Sequence, residues 1–210
     1  MSTPADDPRF PALREALAAY ASDPDDPDPG ASDMLQAAVA LVVRGGDALE
    51  VLLIKRARRE GDPWSGHMAL PGGRRDGADD SLLHTAMRET EEETGVPLAR
   101  SGIHLGRLEE VLPQSARLPR LTVTPFVFGV PADMEARVAS AGEVEAVHWV
   151  ALDLLRLPET RGQVEIPLPD GALAFPCLRV VDDVVWGLTY RILDDFLRRA
   201  PEVFPLPREG

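Results

Sequence analysis

Two apolar runs, "LQAAVALVV" (35–43) and "LEVLLIKRA" (49–57), flank the short polar stretch "RGGD". Aliphatic, β-branched runs of this length on either side of glycines predict two strands joined as a hairpin. "IHLGRLEEVL" (103–112), "LTVTPFVFGV" (121–130) and "EVEAVHWVAL" (143–152) predict three more strands, and two weaker ones follow near 163–167 and 172–181. Residues 79–94 carry a helical period, and Gly95 fits a glycine cap at the end of that helix. "PWSGHMALPGG" (63–73) is too rich in proline and glycine for a helix and predicts a loop with a short strand at its centre. Leu152, Leu154 and Leu155 suggest a short helix. "WGLTYRILDDFLRRA" (186–200) predicts a terminal helix with Leu188, Ile192 and Phe196 on one face and two arginines in its last turn, where they suit the dipole.

Ahead of these elements, "PALREALAAYA" (11–21) predicts a short helix. Pro11 suits a first helical position, and Leu13, Leu17 and Tyr20 form a stripe. "SDPDDPDPG" (22–30) cannot pack and reads as a linker or exposed turn. Residues 1–33 are therefore a helical arm with a Pro/Asp-rich linker, packing on the domain or on a second subunit of a homodimer. Residues 34–210 form one domain. Strands before and after a central helix, closed by a terminal helix, indicate an α+β domain with a mixed sheet and helices packed on it.

Charge narrows the range of partners. The 210 residues carry a formal net charge of −13, which disfavours non-specific binding to nucleic acid or to an anionic membrane. A small polyanionic substrate would need a metal or a local cluster of arginines. No stretch approaches the ~18 apolar residues of a membrane span, and "MSTPADDPRF" has no basic region followed by an apolar run. Cys177 is the one cysteine, so no internal disulfide forms. It sits in the apolar run "ALAFPCLRV" and reads as a buried thiol in a reducing compartment. Together these features predict a soluble cytoplasmic protein with a small-molecule partner.

"RETEEETG" (88–95) gathers four glutamates just before the helix-ending glycine. Like-charged pairs three or four apart cost an isolated helix roughly 0.2–0.5 kcal/mol each. With Glu89 at zero and about 100° per residue, Glu92 falls near about 300°, Glu93 near about 40° and Arg88 near about 260°. Leu83, Met87, Thr90 and Thr94 make a separate, less polar flank, and Glu91 points elsewhere. The i, i+3, i+4 spacing sets Glu89, Glu92 and Glu93 side by side. Such an edge is either a solvated face or a cation site. Its hard oxygen donors suit Mg²⁺ or Mn²⁺ and not zinc. "LPGG" (70–73) precedes the helix, and glycines there allow close backbone approach and expose carbonyls that can add a ligand. Arg88 stands one turn before Glu92 and can hold that carboxylate.

"GGRRDGADDSLLHTAMRETEEETGV" resembles the signature of the Nudix hydrolases: glycine, five residues, glutamate, seven residues, then Arg-Glu-apolar-x-Glu-Glu-x-Gly-apolar. The second half matches at Arg88, Glu89, Glu92, Glu93, Gly95 and Val96, with Thr90 in an apolar slot. The first half departs. Counting back from Arg88 puts Arg74 in the glycine slot and Asp80 in the glutamate slot; if Gly73 is the glycine, one residue is inserted and the acid is Asp79 or Asp80. The resemblance implies a Nudix fold, a mixed sheet between helices, and hydrolysis of a nucleoside diphosphate linked to another group. Carried over by position, Glu89, Glu92 and Glu93 bind the cation, the carbonyl of Gly72 or Gly73 adds a ligand, and Arg88 orients the carboxylates. The general base is left open among Glu92, Glu93 and the loop acids Glu143 and Glu145.

"LLIKRARREGDPWSGHMALPGGRRD" (52–76) further resembles the extra motif of the family's coenzyme A pyrophosphatases, at Leu52, Leu53, Arg56, Ala57, Gly66, Pro71, Gly72 and Gly73. Ile54, Gly61 and Leu70 depart from it, and the spacing from Ala57 to Gly66 is one residue longer. "VTPFVFGV" and "VWGLTYRIL" are also similar to that branch. The implied substrate is coenzyme A or a thioester of it, cleaved to 3′,5′-ADP and 4′-phosphopantetheine. The alternatives are ADP-ribose or another nucleotide conjugate, or ligand binding without turnover. Arg56, Arg58 and Arg59 lie where they can meet phosphates, as do Arg117 and Arg120 around "PQSARLPR". Gly66, His67 and Gly73 line the same presumed site, and Trp64 can stack on a base or anchor its loop.

Overall fold

The computed structural model of the protein describes residues 7–18, 34–60, 65–113, 120–168, 171–200 and 203–204. Its organising strand is β1 (Leu35–Arg44). Ala38, Ala40 and Val42 face one layer of core while Leu41 and Val43 face the other. Burial on both sides explains why this run does not alternate with polar residues. β1 pairs in parallel with β6 (Leu121–Val130) along its whole length, from Leu35 opposite Leu121 to Arg44 opposite Val130.

The hairpin predicted for β1 and β2 (Glu50–Arg56) is present, but only at its closed end, where Val43 meets Val51 and Arg44 meets Glu50. Beyond that the two strands part. β3 (Met68–Ala69) pairs with β2 at Ile54 and Lys55, and β4 (Gly72–Arg74) pairs with β1 at Ala37, Ala38 and Val39. Between them the Ala40 N–H donates to the Pro71 carbonyl at 2.8 Å. β7 (Val144–Ala151) covers the outer edge of β2, and β5 (Ile103–Arg107) covers the outer edge of β6. The sheet is mixed, as the α+β reading requires. The glycine-rich loop thus becomes two short strands wedged into the sheet's centre.

Helices lie on both faces. α2 (Leu82–Thr94) packs Leu82 and Ala86 against Ala38, Ala40, Phe126 and Phe128, with the short α3 (Leu98–Ser101) beside it. On the other face α1 (Arg9–Ala18) buries Phe10, Leu13 and Leu17, and α4 (Gly187–Arg199) buries Ile192, Leu193, Phe196 and Leu197. The arm therefore packs on its own domain, the first of the two expected placements. Phe10 lies against Gly129, Leu17 against Gly106, and the Arg14 guanidinium donates to the His104 carbonyl at 3.3 Å. Tyr20 and the linker 22–30 lie outside the described residues.

β8 (Arg161–Leu168), β9 (Gly171–Val180) and β10 (Asp183–Trp186) form a separate antiparallel sheet. β10 and α3 are not foreshadowed by the apolar pattern, because four residues carry too little period to read. The strand expected over 103–112 ends at Arg107, beyond a register shift between His104 and Gly106, where Gly106 takes φ +147; pairing returns only at Val111. Cys177 is buried, as expected. Among the described residues no helix is long and apolar enough to cross a membrane.

Candidate active site

α2 begins three residues later than the period suggests, because Ser81 caps it: its Oγ accepts the His84 N–H at 3.0 Å. It ends as expected at Gly95, which takes a left-handed φ of +71 and donates its N–H to the Glu91 carbonyl at 2.9 Å. The face turned to the sheet differs from the expected flank. It runs through Leu82, Ala86, Thr90 and Glu93, while Leu83 and Met87 are only partly buried. Thr90 and Thr94 satisfy their hydroxyls on the Ala86 and Thr90 carbonyls at 2.7 and 2.6 Å. The glutamate edge is thus not separate from the core. It descends from solvent into the core, the carboxylate-bearing side chains of Glu92, Glu89 and Glu93 being 54%, 17% and about 3% exposed.

Two glycines make room at the buried end. The Gly72 N–H donates to Glu93 Oε2 at 2.9 Å. Gly72 has φ +151, and a Cβ there would overlap the Ala38 carbonyl oxygen and the Val39 backbone. A Cβ on Gly73 would fall on the Glu89 carboxylate. Burial pushes the Glu93 pKa up to about 8, against the pull of the Gly72 N–H and of Arg56, and with a further push from Glu89 and Glu143. Glu89 is raised too, first by burial and then by Glu92 and Glu143, with Arg88 opposing.

Arg88 ties the edge together. Its Nε and Nη2 fork onto Asp79 at 2.8 and 2.9 Å, and its Nη1 reaches Glu89 at 2.9 Å and Glu92 at 3.1 Å. Asp79 is buried and also accepts the Asp76 N–H and the Thr85 hydroxyl, each at 2.9 Å. The guanidinium beside it holds its carboxyl well below the usual range and is itself raised in return. The early acid of the motif is therefore Asp79. Gly73, five residues, then Asp79 keeps the expected spacing, and the extra residue falls between Asp79 and Arg88.

The neighbouring acids and bases separate into groups. Glu91 turns away and pairs with Arg100 at 2.7 Å. Glu143 shares the field of Glu89 and Glu93, whereas Glu145 pairs with Lys55 at 3.3 Å, and Lys55 also meets Asp183 at 2.9 Å. Arg59 donates to the Gly142 carbonyl at 2.6 Å and sits 3.5 Å from Glu143, so it braces that loop. Arg58 lies over Gly66, which has φ +73. His67 packs edge-on against Trp186 with ring centres 4.9 Å apart. Trp186 belongs to the unforeseen β10, so no local signal in the sequence pairs it with His67. Trp64, Gly61 and Arg117 lie outside the described residues, and the Arg120 carbonyl accepts the Leu35 N–H at 3.0 Å.

Among the described residues, no three acid, histidine or cysteine side chains already surround one point as a closed metal cage. The Arg88 guanidinium bridges two of the three glutamates instead. The donor set nonetheless fits a hard dication. It offers only oxygen ligands, and two of its members, Glu89 and Glu93, are held above their ordinary pKa first by burial and then by neighbouring carboxylates.

Residues 34–168 match the sequence profile of the NUDIX domain. An uncharacterised protein of Schizosaccharomyces pombe is 42% identical over 119 residues, 55% of this chain and 36% of that protein. The human mitochondrial coenzyme A diphosphatase NUDT8 is 35% identical over 152 residues, 70% of this chain and 60% of that protein. The chain thus spans well under two thirds of the first relative's length and somewhat under two thirds of the second's. The Nudix hydrolase RenU of M. smegmatis shares the fold, with a TM-score of 0.52 at 21% identity, covering 83% of this chain and 89% of that one. With more than half of its length matched to the profile and the motif's glutamates assembled on α2, the chain belongs to the Nudix family and is similar within it to the coenzyme A diphosphatase branch.

Proposed function

We propose that the protein is a metal-dependent pyrophosphohydrolase acting on coenzyme A or its thioesters, releasing 3′,5′-ADP and (acyl-)4′-phosphopantetheine. The observation that carries the reading is the graded glutamate edge of α2. It is clamped by Arg88 and Asp79 and set against the Gly72–Gly73 strand. Glu89, Glu92 and Glu93 would hold Mg²⁺ or Mn²⁺, with the Gly72 carbonyl as a further ligand. When bound, such an ion neutralises the diphosphate, polarises its P–O bonds and acidifies water for in-line attack.

The chain's own groups do the positioning. Gly72 fixes the Glu93 carboxylate through its N–H, and Arg88 keeps Glu89 and Glu92 on one edge. Between Glu143, just before β7, and Glu145, within it, we assign the proton-accepting role to Glu143. What supports this is its field at Glu89 and Glu93; each acid has a cation beside it, Arg59 at 3.5 Å for Glu143 and Lys55 at 3.3 Å for Glu145. Arg56 supports the anionic end of the substrate, since its charge acts at Glu93. Arg58, Gly66 and His67 remain substrate-facing in this reading, on the connection between β2 and β3. The choice of coenzyme A rests on the motif of residues 52–76 and on the name of the human relative.

Incubation of the purified protein with Mg²⁺ or Mn²⁺ and either coenzyme A or ADP-ribose tests the reading. Formation of 3′,5′-ADP and 4′-phosphopantetheine supports it. AMP and ribose phosphate from ADP-ribose alone would move the substrate class, and tight binding without turnover would make the protein a ligand-binding module.

A further inference from the structure

A cavity of about 440 Å³ opens beside the first half of α2. Its volume is on the scale of a small-molecule site. Glu89 and Glu92 form one side of it, so it opens onto the glutamate edge. Arg74, Arg75, His84 and Arg88 form much of the rest, and Ala78 is the one apolar side chain among its lining residues. Asp76 and Asp79 line it as well, so a second anionic group gains only from a guanidinium that no carboxylate already engages, and a nucleobase or a pantetheine chain gains little from such walls. In a chain of net charge −13 a phosphate dianion needs a local cation of this kind.

The three guanidinium groups differ in what already engages them. Arg88 is forked onto Asp79. Arg75 donates to the Asp79 and Asp80 carbonyls at 3.2 and 3.3 Å and to Gln36 at 3.4 Å, so it ties the loop to β1. Arg74 is exposed, and its side chain makes no hydrogen bond or ion pair among the described residues. Its backbone is fixed, because it pairs with Ala37 in the sheet one residue after Gly73. His84 stands across α2's first turn. Its Nδ1 accepts the Asp80 N–H at 3.3 Å, which leaves the ring proton on Nε2 as a donor. Asp76, the remaining acid of the wall, accepts the Ala78 N–H at 2.9 Å within its own turn.

We propose that Arg74, assisted by His84, is an anion subsite for a phosphate monoester carried on the substrate's ribose. The phosphorylated nucleoside end then lies across the first half of α2, and the other half of the substrate leaves the glutamate edge on the opposite side. This rests on the pyrophosphatase reading of the same helix and deepens it. Arg74 reads the group that separates a 3′-phosphorylated nucleotide from its unphosphorylated counterpart, and its planar fork suits that group.

Calorimetric titration of 3′,5′-ADP and 5′-AMP in Mg²⁺ tests the subsite without turnover. Wild type is expected to bind 3′,5′-ADP at least about tenfold more tightly than 5′-AMP, and Arg74→Gln to bring the two within about twofold. Arg74→Lys, which keeps the charge without the fork, should retain part of the preference. Equal binding of both nucleotides by wild type overturns the subsite, and so does a preference that survives in Arg74→Gln. Coenzyme A cleavage is scored separately. Cleavage without Arg74-dependent discrimination removes the subsite and keeps the enzyme; discrimination without cleavage removes the proposed substrate and keeps the subsite.

Discussion

Both faces of the central sheet bury apolar side chains, but among the described residues only one of them also buries charge-bearing groups. On the α1–α4 side, Phe10, Leu13, Leu17, Ile192, Leu193 and Phe196 meet Leu41, Val43 and Val127 in an apolar layer. On the α2 side Leu52, Phe126 and Phe128 are buried too, but β1 offers small residues there, Ala38 and Ala40, and α2 brings Glu93 into the interior, with its Arg88 paired to Asp79 of the preceding loop. Apolar burial contributes stability in proportion to area. A buried carboxylate costs stability unless something positive or a proton satisfies it. Both faces hold the domain together, and the second is also where the fold accepts a buried carboxylate.

The largest expected effect separates the faces directly. Phe10→Ala removes a ring packed on Gly129 and should destabilise the protein by roughly 3–5 kcal/mol in denaturant unfolding, while the rate per folded molecule is unchanged. A comparable loss of specific rate would show that the faces are not separable. Glu93→Gln is the converse. It should lower the metal-dependent rate at least about a hundredfold, or about 2.7 kcal/mol. Thermal stability should not fall, because an amide accepts the Gly72 N–H without burying charge. Wild-type activity in that variant would take the α2 edge out of the mechanism.

Next in size comes the dependence on pH. The folded protein keeps a proton on Glu93 up to about pH 8, whereas the unfolded chain releases it near 4.5. Between those values the unfolded state binds fewer protons, so the Tm of the metal-free protein should fall as pH rises. Saturating Mg²⁺, or Glu93→Gln, should flatten that slope. Asp79 acts with the opposite sign, since its lowered pKa stabilises the fold above the ordinary carboxylate range and that contribution is lost on acidification. A Tm independent of pH between 5 and 8 without metal, as scanning calorimetry would read it, would mean that Glu93 is not held protonated. The smallest effect belongs to Glu91→Gln, whose partner Arg100 is exposed. Rate should change less than about twofold and stability by less than about 0.5 kcal/mol; a larger loss of rate would put Glu91 back on the functional edge.

Local physics made much of this legible in the sequence. The strand over 121–130, the closed end of the β1–β2 hairpin, the α2 helix and its Gly95 cap follow from apolar period and backbone preference within a few residues. So does the alignment of Glu89, Glu92 and Glu93 beside Arg88, because i, i+3 and i+4 are neighbours on any α-helix. What the sequence left open depends on contacts between distant segments. Whether the N-terminal helix serves its own domain was decided by Phe10 and Leu17 meeting Gly129 and Gly106. The hairpin's parting around β3 and β4 was decided by pairing of residues 68–74 with strands more than ten residues away. Asp79 was distinguished from Asp80 by the Arg88 fork, and the different surroundings of Glu143 and Glu145, the one beside Arg59 and the other on Lys55, were set by distant segments. Rotation of α2 onto its Glu93 side came from the sheet beneath it, not from the helix's own apolar count. A sequence fixes which groups lie along one helix edge, since that spacing is covalent and local; how deep each group sits, and therefore its charge state, is set by what the rest of the chain packs against it.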